Sequence, residues 1–160
     1  MRWRYIFSII GLLTFFLGLS MVFPLLVGLY YKDQSVIPLL KSMAVSVFAG
    51  LILYSAFRSE KAEIISQREG MAIVALGWTI IGLFGSLPFY LEGELPVFVD
   101  AFFESVSGFT TTGASVLTHI EGASKGLLFW RSFIQWLGGM GIIVLTVAIL
   151  PFLGGALPIC

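Results

Sequence analysis

Three threonines and a glycine, Thr110-Thr111-Thr112-Gly113, stand in a row inside a chain that is otherwise strongly apolar. Residues of these types in succession can take a cation out of water. An extended stretch turns backbone carbonyl oxygens toward an axis, where they replace the ion's hydration shell, and threonine hydroxyls add further oxygens. Gly113 suits that work because it enters backbone conformations that other residues reach only with strain. Two charged residues flank the stretch. Arg131 falls about one turn into the last apolar segment, with Gln135 on the same helical face. A charge at membrane depth usually faces protein or water and finds a partner. Glu104 is the candidate, bracing the threonine loop from behind. An arginine that snorkels along its own stem to the interface is the alternative, and the sequence leaves both open.

Other chemistries find little support. Ser107-Gly108 with His119 is the nearest approach to a serine–histidine pair, but His119 lies in a polar loop beside Thr118 rather than on a helix facing the serine. No zinc-protease, Walker or dinucleotide signature occurs. The one cysteine, Cys160, supplies neither a disulfide framework nor a thiol metal site. We therefore expect no catalytic residues, no cofactor and no bound metal beyond a transported cation. Nine basic residues balance nine acidic ones, which argues against a nucleic-acid partner.

The elements that must position these residues are read from apolar length. Of 160 residues, 58% are hydrophobic and only 11% charged, and the mean hydropathy is +1.01. Soluble domains carry about a quarter charged residues. Tyr5–Tyr31, Val36–Phe57, Met71–Leu91 and Leu127–Leu153 each approach or exceed the roughly 20 residues that cross a bilayer core. The pattern predicts four spanning helices in membrane lipid, Lys41 snorkelling at the end of the second. A secretory signal is the alternative at the N-terminus, where Arg2 and Arg4 precede the first run. That run is too long for a signal's apolar region and lacks a small-residue cleavage site.

Between the last two spans, Val99, Phe102, Phe103 and Val106 keep the spacing of one helix face. A helix over 97–107 is about 16 Å long, too short to cross. It can enter partway and return, closed by Gly108 in the left-handed conformation that ends many helices. A non-helical return at that depth is tolerated where it is buried in protein or lines a wet cavity. The helix then points the negative end of its dipole at a cation. Gly138-Gly139-Met140-Gly141 permits close approach of the last helix to a neighbour; a hinge is the other reading of the same cluster.

Charge sets the orientation. With the N-terminus cytoplasmic, Arg2, Arg4, Arg58, Lys61 and Arg68 fall inside, and the outer segments hold Lys32 and Lys125 among several acids. Both termini are then cytoplasmic. The chain divides into an N-terminal helix pair (1–57), a cytoplasmic linker (58–70) and a unit over 71–160. That unit comprises a helix (71–91), a short pore helix (97–107), a loop (109–114) and a second helix (127–153).

Ser107–Ser115, SGFTTTGAS, followed by the run from Trp130 to Gly154, closely resembles the Trk/Ktr/HKT superfamily of potassium transporters, most of all its bacterial TrkH branch. The resemblance extends over the whole chain and implies an all-α membrane protein of the bacterial inner membrane. It implies an N-terminal helix pair followed by one M1–P–M2 pore unit, with a re-entrant pore helix and a filter loop. Gly113 matches the family's filter glycine and Thr110, Thr111 and Thr112 its neighbours. Members carry four such units in one polypeptide, so this chain is expected to supply one quarter of a selectivity filter for potassium uptake and to need further pore units. Its status as a fragment or truncated product is part of that expectation. The resemblance further implies a cytosolic partner, a ring of nucleotide-binding regulatory subunits of the TrkA type. Two alternatives remain: a homotetrameric two-helix-type cation channel built from four copies, and a non-conducting membrane subunit or remnant.

Overall fold

The computed structural model describes residues 3–58, 67–118 and 120–154. Expectations resting on Arg2, Lys61 and most of the 58–70 linker, His119 and Cys160 lie outside the described residues. Among the described residues all regular structure is helical: α1 (Trp3–Ser20), α2 (Val22–Tyr31), α3 (Val36–Phe57), α4 (Gln67–Glu92), α5 (Phe98–Phe109) and α6 (Lys125–Gly154), with a short 3-10 turn at Ile120–Gly122.

The first expected span is two helices broken at Met21. The cause is Pro24, which has no N–H to give the Ser20 carbonyl and whose ring crowds that oxygen. The chain tightens there, and the Met21 N–H bonds the Gly18 carbonyl at 3.2 Å. Trp3–Tyr31, Val36–Phe57 and Arg68–Glu92 are long and apolar enough to cross a membrane. The fourth expected span is also helical throughout, within the 30 residues of α6.

α1 and α3 pack antiparallel with their backbones in contact. A Cβ at Gly50 would lie 2.5 Å from the Phe15 nitrogen, and one at Gly11 2.7 Å from the Tyr54 nitrogen. Lipid offers no hydrophobic drive between helices, so small residues that admit close dispersion contact take over the interface. Outward faces are apolar: Phe48 is 67% and Ile52 63% exposed, which suits hydrocarbon and not water. The core gathers Met21 at the α1–α2 break, Leu39 of α3, Phe89 of α4, and Trp130 and Ile134 of α6, all fully buried.

α5 shows the same inversion in part. Its regularly spaced apolar residues divide: Val99 is 69% and Phe103 46% exposed, whereas Phe102 and Val106 are half-buried against Gly82 of α4. The buried side carries Ala101, Glu104, Ser105 and Gly108. In lipid part of the greasy face turns outward and the small and polar residues meet neighbouring helices. At 12 residues α5 is about 18 Å long and does not reach across.

Candidate functional site

α5 is wedged between the C-terminal half of α4 and the first half of α6. Its last turn rests on α4, where a Cβ at Gly85 would fall 2.6 Å from both Phe109 Cε2 and Ser105 Oγ. On the other side Gly108 meets α6, a Cβ there falling 2.6 Å from Ile134 Cδ1. Gly108 therefore does not end the helix. It is an interior position kept small for Ile134, and α5 continues to Phe109.

The stop comes from the threonines. Thr111 takes the left-handed conformation at φ 56°. Its N–H donates to the Gly108 carbonyl at 2.9 Å, and the Thr112 N–H donates to the Ser107 carbonyl at 3.0 Å. These two bonds form a Schellman cap, whose left-handed residue is usually glycine. A β-branched residue there is a genuine outlier. The hydroxyls join the cap: Thr110 Oγ1 donates to the Val106 carbonyl at 2.8 Å and lies 2.8 Å from Thr112 Oγ1. Thr111 Oγ1 donates to the Thr110 carbonyl at 2.7 Å. The extended stretch expected to begin at Thr110 therefore starts after Thr111, because the first two threonines are spent closing the helix.

Gly113 is left-handed as well, at φ 76°, and a Cβ on it would meet no atom within 4 Å. The backbone from Thr112 to Leu117 runs without regular structure. Residues 110–116 are exposed on one surface of this chain. Behind them the return is tied down. Ser107 Oγ donates to the Ala114 carbonyl at 2.6 Å.

Glu104 is the second anchor. It is 2% exposed and its carboxylate collects several donors. Ser115 Oγ lies 3.1 Å from both of its oxygens, and the Val116 N–H donates at 3.0 Å. Arg131 Nε donates to Oε1 at 2.5 Å from a side chain only 26% exposed. The two charges thus meet behind the loop, and the arginine does not reach away from the carboxylate. A buried carboxylate needs such pairing, because an uncompensated charge at that depth is strongly unfavourable. Gln135, one turn further along, is exposed.

α6 is held against this assembly at two further points. Trp130 Nε1 donates to the Gly85 carbonyl at 3.0 Å. Gly138 lies against the Phe109 carbonyl so closely that a Cβ would intrude on its oxygen, with the carbonyl carbon at 2.6 Å. Of the glycine cluster, Gly138 thus serves close packing on the end of α5.

Sequence reasoning brought Thr110, Thr111, Thr112, Gly113, Glu104 and Arg131 to one place in the chain. It missed Ser115 and the Val116 N–H as partners of Glu104, and Ser107 as the tie to Ala114. No periodicity links residues 11 and 12 apart across a turn. Among the described residues no group of three or more His, Cys, Asp or Glu could hold a metal ion.

Comparison with known proteins places this geometry among relatives. A family model described as TrkH, cation transport protein, matches residues 34–156. The Trk system potassium uptake protein TrkH of Vibrio parahaemolyticus is 46% identical over 155 residues, covering 96% of this chain and 32% of the relative. The Trk system potassium uptake protein TrkG of Escherichia coli is 33% identical over 153 residues, covering 94% of this chain and 31% of its own length. The crystal structure of the potassium transporter TrkH from Vibrio parahaemolyticus superposes with a TM-score of 0.89 at 45% identity, over 99% of this chain and 34% of that one. The chain spans about a third of the length of the curated relatives it matches.

Proposed function

Since the chain belongs to the TrkH family of cation transport proteins, we propose that it supplies one pore unit of a potassium uptake path across the bacterial inner membrane. Thr110, Thr111, Thr112 and Gly113 form its share of the selectivity filter. The observation that carries this reading is the pair of left-handed residues, Thr111 and Gly113, with Thr112 between them. In a regular strand successive residues face opposite ways. Left-handed residues on either side of Thr112 break that alternation, which lets neighbouring carbonyls share one side of the exposed 110–116 segment. In this reading potassium shedding part of its water is met by carbonyl oxygens of the loop.

The threonine hydroxyls bond to one another, to α5 and to the Thr110 carbonyl, so in this reading they shape the loop and the remaining carbonyls bind the ion. Glu104 and Arg131 act as filter support, holding the return strand through Ser115 and Val116. Movement is passive and directed by the membrane potential, worth about 2.3 kcal/mol per elementary charge per 100 mV. A closed path requires further pore units around the axis, and a cytosolic nucleotide-binding subunit of the TrkA type would regulate it. Basic residues on the 58–70 side put both termini in the cytoplasm.

The test is Gly113→Ser in a full-length family transporter carrying this segment, expressed in cells lacking other potassium systems. Rubidium uptake relative to sodium should fall while membrane abundance holds, because the side chain meets open space but strains a left-handed backbone. An unchanged ratio in well-inserted protein would remove this loop from the filter.

A further inference from the structure

The N-terminal helices pack on both α4 and α6, and their junction with the start of α6 is tightly built. The turn from α2 to α3 is closed by Lys32, left-handed at φ 53°, with the Lys32 N–H bonded to the Leu29 carbonyl and the Asp33 N–H to the Gly28 carbonyl. That cap fixes the backbone of Asp33. Its side chain then reaches 92 residues along the sequence, and Oδ2 accepts the Lys125 N–H at 2.7 Å. Lys125 is the first residue of α6, so its N–H is one of the four that a helix cannot satisfy from within. A carboxylate at that end also opposes the positive pole of the helix dipole.

The next residue locks the same contact sterically. A Cβ on Gly126 would stand 3.2 Å from the Gly28 Cα and would intrude on Ser35 Oγ. The α2–α3 turn and the start of α6 are therefore in backbone contact, and further along Phe23 meets Phe133 with ring centroids 5.5 Å apart. Arg131 follows Gly126 within about a turn and a half of helix. Helices are stiff over that distance. A slip of one residue at the start of α6 moves Arg131 by about 1.5 Å along the axis and about 100° around it, more than a hydrogen bond tolerates.

We propose that Asp33 is a positioning residue for the Thr110–Gly113 loop: with Gly126 seated on the α2–α3 turn, it sets the height and rotation at which α6 presents Arg131 to Glu104. This inference rests on the function proposed above. It gives the N-terminal helix pair a part in ion selection, exerted at a distance through α6. Asp33 touches no ion.

The experiment compares Asp33→Ala, Asp33→Asn, Gly126→Val and Gly113→Ser in a full-length family transporter carrying this segment, at matched membrane abundance, reading rubidium against sodium uptake. Asp33→Ala and Gly126→Val should each lower the ratio about five-fold, the factor an ordinary lost cap gives an equilibrium. Asp33→Asn keeps an acceptor oxygen and should stay within about two-fold of the parent, as asparagine caps helices nearly as well as aspartate. Adding Asp33→Ala to Arg131→Ala should lower the ratio no further, since the effect travels through Arg131. If Gly113→Ser lowers the ratio while Asp33→Ala and Gly126→Val leave it unchanged, the positioning role is overturned and the filter stands. If Gly113→Ser also leaves it unchanged, the proposed function falls and takes this inference with it.

Discussion

Gly138 of α6 rests against the carbonyl of Phe109, the last residue of α5, with no room between them for a side chain. Its neighbour Gly139 is different: a Cβ there would find only Thr111 Cγ2, at an ordinary 3.7 Å. Gly138→Ala should therefore push the end of α5 away and lower rubidium uptake several-fold, overpacking of this kind costing about 1–3 kcal/mol. Gly139→Ala should remain near the parent. Equal uptake by the two variants, at equal abundance, would show that the contact at 138 does not hold the loop.

Glu104 serves Arg131, Ser115 and Val116 at once, so the outcome depends on what replaces it. Glu104→Gln keeps a carbonyl oxygen for the Val116 N–H and should impair uptake less than Glu104→Ala. Losing one partner of a buried pair costs about 3–5 kcal/mol, toward the lower end here because Arg131 remains partly exposed. Exchanging the two charges should fail to restore function, since the Val116 N–H would then face a cation. A double-mutant cycle on Glu104→Ala and Arg131→Ala should show strong coupling; strictly additive losses would mean that the pair does not act as a unit.

Thr111 occupies a position where glycine is normally favoured, and strain of this type is worth about 1–3 kcal/mol. Thr111→Gly should raise the melting temperature of the purified transporter. It should also weaken discrimination between rubidium and sodium, because the hydroxyl bond to the Thr110 carbonyl disappears and the backbone gains freedom. A variant that melts higher and selects as well as the parent would leave Thr111 as a helix cap and nothing more.

Orientation can be read with an impermeant thiol reagent in a background without Cys160. Thr118 is exposed in the segment between α5 and α6, so Thr118→Cys should label from outside intact cells. Ser66→Cys should label only after the membrane is opened. Labelling of Ser66→Cys in intact cells would invert the proposed topology.

Much of this arrangement was legible in the sequence because it depends on local properties. Apolar length marked the long helices, three of which among the described residues are long and apolar enough to cross a membrane, and the shortness of the 97–107 segment set α5 apart from them. The Thr110–Gly113 run marked the loop by residue type, although the extended stretch expected from Thr110 begins only after Thr111. The break at Met21 was also written locally, in Pro24, although the unbroken apolar run concealed it. Other features were decided by partners far along the chain. Gly108 looks like a helix stop until Ile134 is packed against it, and the real stop at Thr111 is a residue type that rarely adopts that conformation. The face of α5 that turns inward could be read only in part from its apolar spacing, because Phe102 and Val106 meet Gly82 while Val99 and Phe103 face outward and the buried side also takes the small and polar Ala101, Glu104 and Ser105. Glu104 reaching Ser115 and Val116, and Asp33 reaching Lys125, need two segments brought together by packing. A carboxylate's partner is whichever donor the fold delivers within about 3 Å, and sequence separation carries no record of that distance.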